Sequence, residues 1–354
     1  MDPVYSFEHI MQPVWHTDTV WFESLTMVEE DGAVSATLLY EPEQILAVQR
    51  ADLTQRFEPG LDYEYRDGRL WLTPGSRIFY FAHDQMFLEK EVPGQCFPME
   101  QGYLLFNEGH FFHDRQIAVT YRCKSCNWPG EIPLFLGENL HKTVEKFKKK
   151  QPIKLVLYGD SISEGYNTSG MTATSPFLPV WGRLVAEQLQ RHYGGQVRFK
   201  NPSLAGMDAL WGAENVESLV CSEDPDLVII AFGANDGIAG QAFYDRMAAI
   251  VEPIRRNCPQ AEILLVATMV PNPLLTSPKA KFYNQQMHQA AELEKFVGDG
   301  IGLVDMHRVQ QALMTRKRFV DLTGNNVNHP NDFMARVYAQ AVSAALIENF
   351  GGVI

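Results

Sequence analysis

Positive charge is in short supply in this chain: 354 residues carry 30 Lys and Arg against 43 Asp and Glu, a formal net charge of −13. Phosphate backbones and anionic lipid head groups are bound by cationic side chains that displace counterions, so neither nucleic acid nor a membrane surface is an expected partner. The one basic run, in residues 146–150, closes an apparent helix where cations favourably face the negative terminus, and reads as a solvated cap. No apolar run approaches the ~18 residues of a membrane span, and residues 1–13 lack the basic and apolar stretches of a secretory leader. The five cysteines are odd in number and too few for a disulfide framework, which favours a reducing, cytoplasmic setting.

Metal and nucleotide signatures are equally thin. Zinc-protease and P-loop motifs are missing, and no repeat or low-complexity tract occurs. Cys123 and Cys126 form a CxxC with His110 and His113 upstream, which raises a structural zinc site. An extended chain would point those two histidines to opposite faces, so free thiols and ordinary histidines are expected instead, with no metal or organic cofactor. What remains is an ordinary globular composition, 45% apolar and 21% charged, in a chain long enough for two compact units. Whether those units form a homo-oligomer is left open by the sequence.

The two units have different rhythms. Residues 14–123 consist of short alternating segments rich in Val, Tyr, Leu and Thr, the pattern of antiparallel strands. Asp31-Gly32 and Asp67-Gly68 tolerate the positive φ of tight hairpin turns and predict two hairpins. A β-sandwich or jelly roll is expected over residues 1–150, ending in an amphipathic linker helix at 140–147. From Ile153 the rhythm becomes apolar strand, loop, helix. IKLVLYG, QVRFKN, DLVIIAFG, EILLVAT and IGLVD read as buried strands, with helices at 181–193 and 332–350. Residues 151–354 are thus predicted to form an α/β unit, a three-layer parallel sheet with helices on both faces, whose ligand sits beyond the carboxyl ends of the strands.

The residues at those ends form a chemically coherent set. Gly159-Asp160-Ser161 follows the first strand, Gly206 the second and Gly233-Ala234-Asn235-Asp236 the third, while His329 precedes the last helix. A serine hydroxyl becomes a useful nucleophile when a base accepts its proton, and histidine suits that task near neutral pH. Acyl transfer builds negative charge on the carbonyl oxygen, which the backbone N–H groups of Ser161 and Gly206 and the Asn235 amide can receive. Singly, each has an ordinary reading: a helix cap, a turn glycine, an Asx turn, a loop histidine. Their joint placement favours the chemical one. Asp160 and Asp236 read as braces of their turns, and Tyr166, Trp181 and Trp211 as core aromatics before sugar-site walls.

GDSISEG, the glycine of NPSLAG, GAND and NHPND together resemble the four sequence blocks of the SGNH/GDSL hydrolases, over residues 153–350. The resemblance implies Ser161 as nucleophile, His329 as base and Ser161, Gly206 and Asn235 as oxyanion hole, on a three-layer α/β fold without a cofactor. A β-rich unit ahead of it resembles the two-domain acetyl esterases of carbohydrate esterase family two, which implies hydrolysis of small acyl esters, acetyl foremost, on a carbohydrate, a small molecule or an oligosaccharide. One position departs. The family's aspartate three residues before the histidine is here Asn326, which carries no charge. A Ser-His dyad held by a backbone carbonyl is one outcome, and Asp332 or Asp321 as third member is another. The rival functions are a thioesterase or small-lipid esterase on the same machinery, and a carbohydrate-binding protein with an inactive site. The α/β-hydrolase elbow G-x-S-x-G fits less well, since Ser161 lies in Gly-Asp-Ser-Ile-Ser.

Overall fold

The computed structural model describes residues 3–275 and 285–351. Its first part is built on antiparallel pairing. Strands β1 (Thr19–Thr26), β2 (Glu29–Glu30), β3 (Ala33–Ala36), β4 (Pro42–Arg50), β5 (Arg56–Phe57), β6 (Tyr63–Arg66), β7 (Arg69–Leu72), β8 (Phe87–Leu88), β9 (Cys96–Pro98), β10 (Tyr103–Leu105) and β11 (Gln116–Cys123) make three sheets, ordered β1-β11-β4-β5, β2-β3-β7-β6 and β8-β10-β9. Both hairpins form where the turn dipeptides place them. Asp31 and Gly32 have φ of 51° and 73°, and Asp67 and Gly68 of 52° and 74°, joining β2 to β3 and β6 to β7. Positive φ at both central residues matches the right-handed twist of the strands they connect.

Two short helices, α1 (Phe7–Met11) and α2 (His83–Met86), interrupt this part; α3 (His141–Lys148), expected as a linker, packs on the second part. Buried Glu262 of that part accepts the N–H groups of Lys142 and Thr143 at 3.0 and 2.7 Å, which satisfies free donors at the α3 N-terminus. The second part is a five-stranded parallel sheet of β12 (Ile153–Gly159), β13 (Val197–Lys200), β14 (Leu227–Ala231), β15 (Glu262–Ala267) and β16 (Ile301–Asp305), ordered β13-β12-β14-β15-β16. Its helices are α4 (Ser161–Glu164), α5 (Trp181–Tyr193), α6 (Ala209–Leu219), α7 (Gln241–Asn257), α8 (Gln286–Glu294), α9 (Met306–Met314) and α10 (Asp332–Leu346).

Alternate strand residues feed two cores. Leu155 and Leu157 join one with α3, α5, α9 and α10, while Val156 and Tyr158 join the other with α6, α7 and α8. Because β12 connects first to β13 on one side and the chain then crosses to β14 on the other, the carboxyl ends of β12 and β14 flank the crevice where open α/β sheets bind ligands.

The first of those cores does not stop at the sheet. It continues through Leu25, Val48, Val119 and Tyr121 of the β-rich part. Helix α10 lies between the two parts, packed against α5 and β1, and is buried on every side apart from Asp332 at its start. A helix apolar all round is what such a position requires. Its two long polar side chains are occupied: Arg336 donates to the carbonyls of Trp21 and Phe22, and Gln340 to those of Ile10 and Gln12. Among the described residues no helix is long and apolar enough to cross a membrane.

Candidate active site

The turn after β12 admits little but glycine at its first position. A Cβ on Gly159 would lie 2.5 Å from Ser163 Oγ and 2.6 Å from the Ala231 carbonyl. Asp160 then caps α4, accepting the Ile162 N–H at 3.0 Å, and Ser161 opens the helix. Burial pushes the Asp160 carboxyl up to about 7. Its role is the brace expected from the sequence.

Ser161 Oγ lies 2.9 Å from His329 Nε2, and both residues are buried. The loop that delivers His329 is organised by Asn325, whose Oδ1 accepts the N–H groups of Val327, Asn328 and His329 at 3.0, 3.0 and 3.1 Å. Thr323 Oγ1 donates to the His329 carbonyl at 2.8 Å and closes it. Asn331 caps α10 through the Met334 N–H. The other ring nitrogen, His329 Nδ1, faces Asn167 Oδ1 at 2.5 Å, Asn325 Nδ2 at 3.0 Å and Glu108 Oε2 at 3.5 Å.

Gly206 and Asn235 come to the same end of the sheet. Leu204 N–H donates to the Gly159 carbonyl at 3.2 Å and Ala205 N–H to Glu164 Oε2 at 2.7 Å, so the 204–206 turn is pinned on both flanks of Ser161. Gly206 has φ +77°, with open space where a Cβ would stand. Asn235 Nδ2 donates to the carbonyl of the next residue, Met207, at 2.9 Å. Asp236 accepts the Ala209 N–H and Arg246, which ties the third strand's turn to α6.

None of the carboxylates or amides expected as third member touches the ring. Asn326 has φ +65°, which turns its side chain away to donate to the Leu105 carbonyl at 3.0 Å. Asp332 accepts the Ser169 N–H at 2.7 Å, and Asp321 accepts Thr26 N–H and Arg318 N–H at 2.8 and 3.0 Å. A backbone carbonyl does not hold the ring either; side chains of Asn167, Asn325 and Glu108 occupy that side. Sequence reasoning missed these three. Asn167 lies two residues beyond GDSISEG and Asn325 three before NHPND, outside the motifs singled out, whereas no sequence signal marks Glu108, which belongs to the β-rich part.

The aromatic residues divide. Trp181 is core, its indole N–H held by the Ile162 carbonyl at 3.1 Å, and Trp211 packs on Tyr158 and Phe232. Tyr166, half-buried, stands with its ring centroid 5.5 Å from that of His329. His110 and His113, expected in an extended stretch, lie instead in a turn and a single tight helical turn. His110 Nδ1 pairs with Asp114 at 2.6 Å, His113 Nε2 with the Ser175 carbonyl at 2.7 Å, and the thiols of Cys123 and Cys126 with the carbonyls of Asp18 and Val14. No group of three potential ligands is gathered among the described residues.

A three-layer parallel α/β unit with a buried serine and histidine at the carboxyl edge of its sheet is the SGNH-hydrolase arrangement. The chain belongs to the GDSL-like Lipase/Acylhydrolase family, which matches residues 157–337. It is similar to an arylesterase of Vibrio mimicus, with 36% identity over 87 residues, 25% of this chain and 40% of that protein. It is also similar to Esterase TesA of Pseudomonas aeruginosa, with 27% identity over 120 residues, 33% of this chain and 55% of that protein. The chain therefore spans about half or less of the length of these curated relatives. Among solved structures it resembles a two-domain esterase active on acetylated mannans (19% identity, 60% of this chain and 54% of that one, TM-score 0.48). An acetyl xylan esterase is matched at 19% identity over 55% of this chain and all of that one, with a TM-score of 0.42.

Proposed function

We propose that the protein is a serine-dependent carboxylic ester hydrolase. The observation that carries this reading is the 2.9 Å contact between Ser161 Oγ and His329 Nε2 at the end of β12. Ser161 attacks the ester carbonyl as His329 takes its proton; the ring then returns that proton to the leaving alcohol, and water repeats the cycle on the acyl-enzyme. The oxyanion formed at each attack is received by the N–H groups of Ser161 and Gly206 and by the Asn235 amide. The seating of a β-rich part against the hydrolase part supports a small acyl group, acetyl foremost, on a carbohydrate.

A second reading, a thioesterase or small-lipid esterase, is favoured by one feature. An apolar cavity of about 280 Å³ is lined by Met86, Phe87, Leu104, Met314, Phe319 and Asn326 among others, and so reaches the histidine loop. Hydrolysis of p-nitrophenyl acetate, butyrate and octanoate by wild type and Ser161→Ala, with melting curves for both, separates the readings. Turnover that vanishes in the variant and falls with chain length supports an acetyl esterase, whereas preference for octanoate supports the second reading. Equal turnover by a folded Ser161→Ala would remove the nucleophile assignment. No serine-dependent turnover on any ester would favour a binding protein.

A further inference from the structure

A histidine base makes two demands on whatever faces its Nδ1. An acceptor must hold the proton there, so that Nε2 is free to accept from the serine, and negative charge must stabilise the imidazolium that follows. One aspartate can meet both demands; here Asn326 stands in its expected position and points elsewhere.

The orientations of the surrounding amides follow from their other bonds. Asn167 Nδ2 donates to the Gly109 carbonyl at 3.0 Å, which turns Oδ1 toward His329 Nδ1. Asn325 Oδ1 is taken by backbone N–H groups. Its Nδ2 has acceptors for both hydrogens, Asn328 Oδ1 at 3.1 Å and Glu108 Oε1 at 3.4 Å. The Nδ1 proton therefore goes to Asn167, a neutral acceptor that fixes the tautomer and supplies no charge. Glu108 supplies the charge, 3.5 Å from Nδ1. Burial pushes its carboxyl up, but hydrogen bonding and attraction from His329, with the amides of Asn167 and Asn325, outweigh that and hold it below the usual range. Tyr166 is the other titratable side chain whose ring stands against His329. Glu108 and Gly109 are adjacent, so one turn after β10 provides both the carboxylate and the carbonyl that orients Asn167.

Resting on the Ser161–His329 reading above, we infer that Glu108 of the β-rich part is the charged positioning residue of His329, with Asn167 carrying the hydrogen bond. The base is complete only when the two parts are docked, and the β-rich part is a component of the catalytic apparatus.

The test compares Glu108→Gln, Glu108→Asp and Ser161→Ala in the full chain, by pH profiles on the best p-nitrophenyl ester. Glu108 is nearly half exposed, at 46%, so the isosteric amide leaves the fold intact. Because Asn167 still fixes the tautomer, Glu108→Gln is expected to lower kcat about ten- to a hundredfold with little change in KM, far less than a wrong tautomer would cost. Loss of the carboxylate destabilises the imidazolium, so the acid limb of kcat/KM should move down by about one pH unit or more. Glu108→Asp keeps the charge and should keep most of both. An unchanged kcat and acid limb in Glu108→Gln would overturn the inference, as would equal losses in Gln and Asp variants with the limb unmoved, the mark of a structural role. Activity surviving in Ser161→Ala would instead overturn the reading beneath it.

Discussion

The joint between the two parts is held by a buried ion pair that can be removed one charge at a time. Lys317 Nζ lies 2.6 Å from Glu23 Oε1, with neither side chain exposed at all, and also donates to the Ser24 carbonyl at 2.9 Å. Glu23 accepts in addition from Leu39 N–H at 3.0 Å and Tyr121 Oη at 2.7 Å. Lys317→Met leaves the Glu23 carboxylate buried with two hydrogen bonds and without its ion-pair partner. Breaking a buried pair in this way costs about 3–5 kcal/mol. An unfolding entropy of roughly 2.1 cal/mol/K per residue, taken over the 354 residues, gives about 0.7 kcal/mol/K, so Tm should fall by about 4–7 °C. Because the core is continuous across both parts, calorimetry at pH 7 should show one transition in wild type and variant alike. Glu23→Gln with Lys317→Met removes both charges and should recover much of the loss, since what is costly is the unpaired charge rather than the missing pair. Melting of Lys317→Met within about a degree of wild type, or a double variant no better than the single one, would refute the reasoning.

Two further outcomes follow from the site. Asn235→Ala should lower kcat about a hundredfold or more while leaving KM nearly unchanged, because an oxyanion donor acts mainly in the transition state; a rise confined to KM would make Asn235 a ground-state binder. For Asp160 the folded-state value of about 7 lies above the ordinary 3.8. Its protonation therefore stabilises the fold fully below about pH 4, and that contribution is lost as pH rises through 7. Asp160→Asn lacks this dependence, so denaturant titrations at several pH values should show the variant gaining on wild type between pH 4 and 7, and parallel curves would contradict it.

The parallel-sheet part was legible because burial imposes periods on its sequence. Helix α5 spans the very residues, Trp181–Tyr193, whose 3.6-residue rhythm marks them, and buried strands such as LVIIA carry no polar interruption. The Asp-Gly turns were legible because few residue pairs tolerate their φ angles. The β-rich part was harder to read. Strand β1 is buried along nearly its whole length, between its own sheet and α10, so the alternation of a one-sided sheet is lost. It also breaks register between Val20 and Glu23, where Phe22 takes φ +49°. Long-range pairing is equally silent in sequence. Ser161, His329, Gly206 and Asn235 could be placed because each follows or precedes a recognisable strand or helix. Glu108 meets His329 only through the docking of one part on the other, and nothing local to Glu108 encodes that.

Asn326, which removes a charge from its usual place, fits the construction of the site. At φ +65°, a conformation asparagine accepts more readily than most residues, it aims its side chain across the joint, not back at the ring. Nδ2 donates to the carbonyl of Leu105, the last residue of β10, and meets Met86 Sδ at 3.2 Å, while Asn272 Nδ2 bonds its carbonyl and Oδ1 at 3.0 and 3.2 Å. An aspartate could not make the donation to Leu105; the carboxylate oxygen in place of Nδ2 would face that carbonyl and Met86 Sδ instead. Leu105 lies just ahead of the turn that carries Glu108 and Gly109. The position that would otherwise hold the acid thus fastens the strand that delivers another one, so charge at the base and docking of the β-rich part become a single structural requirement.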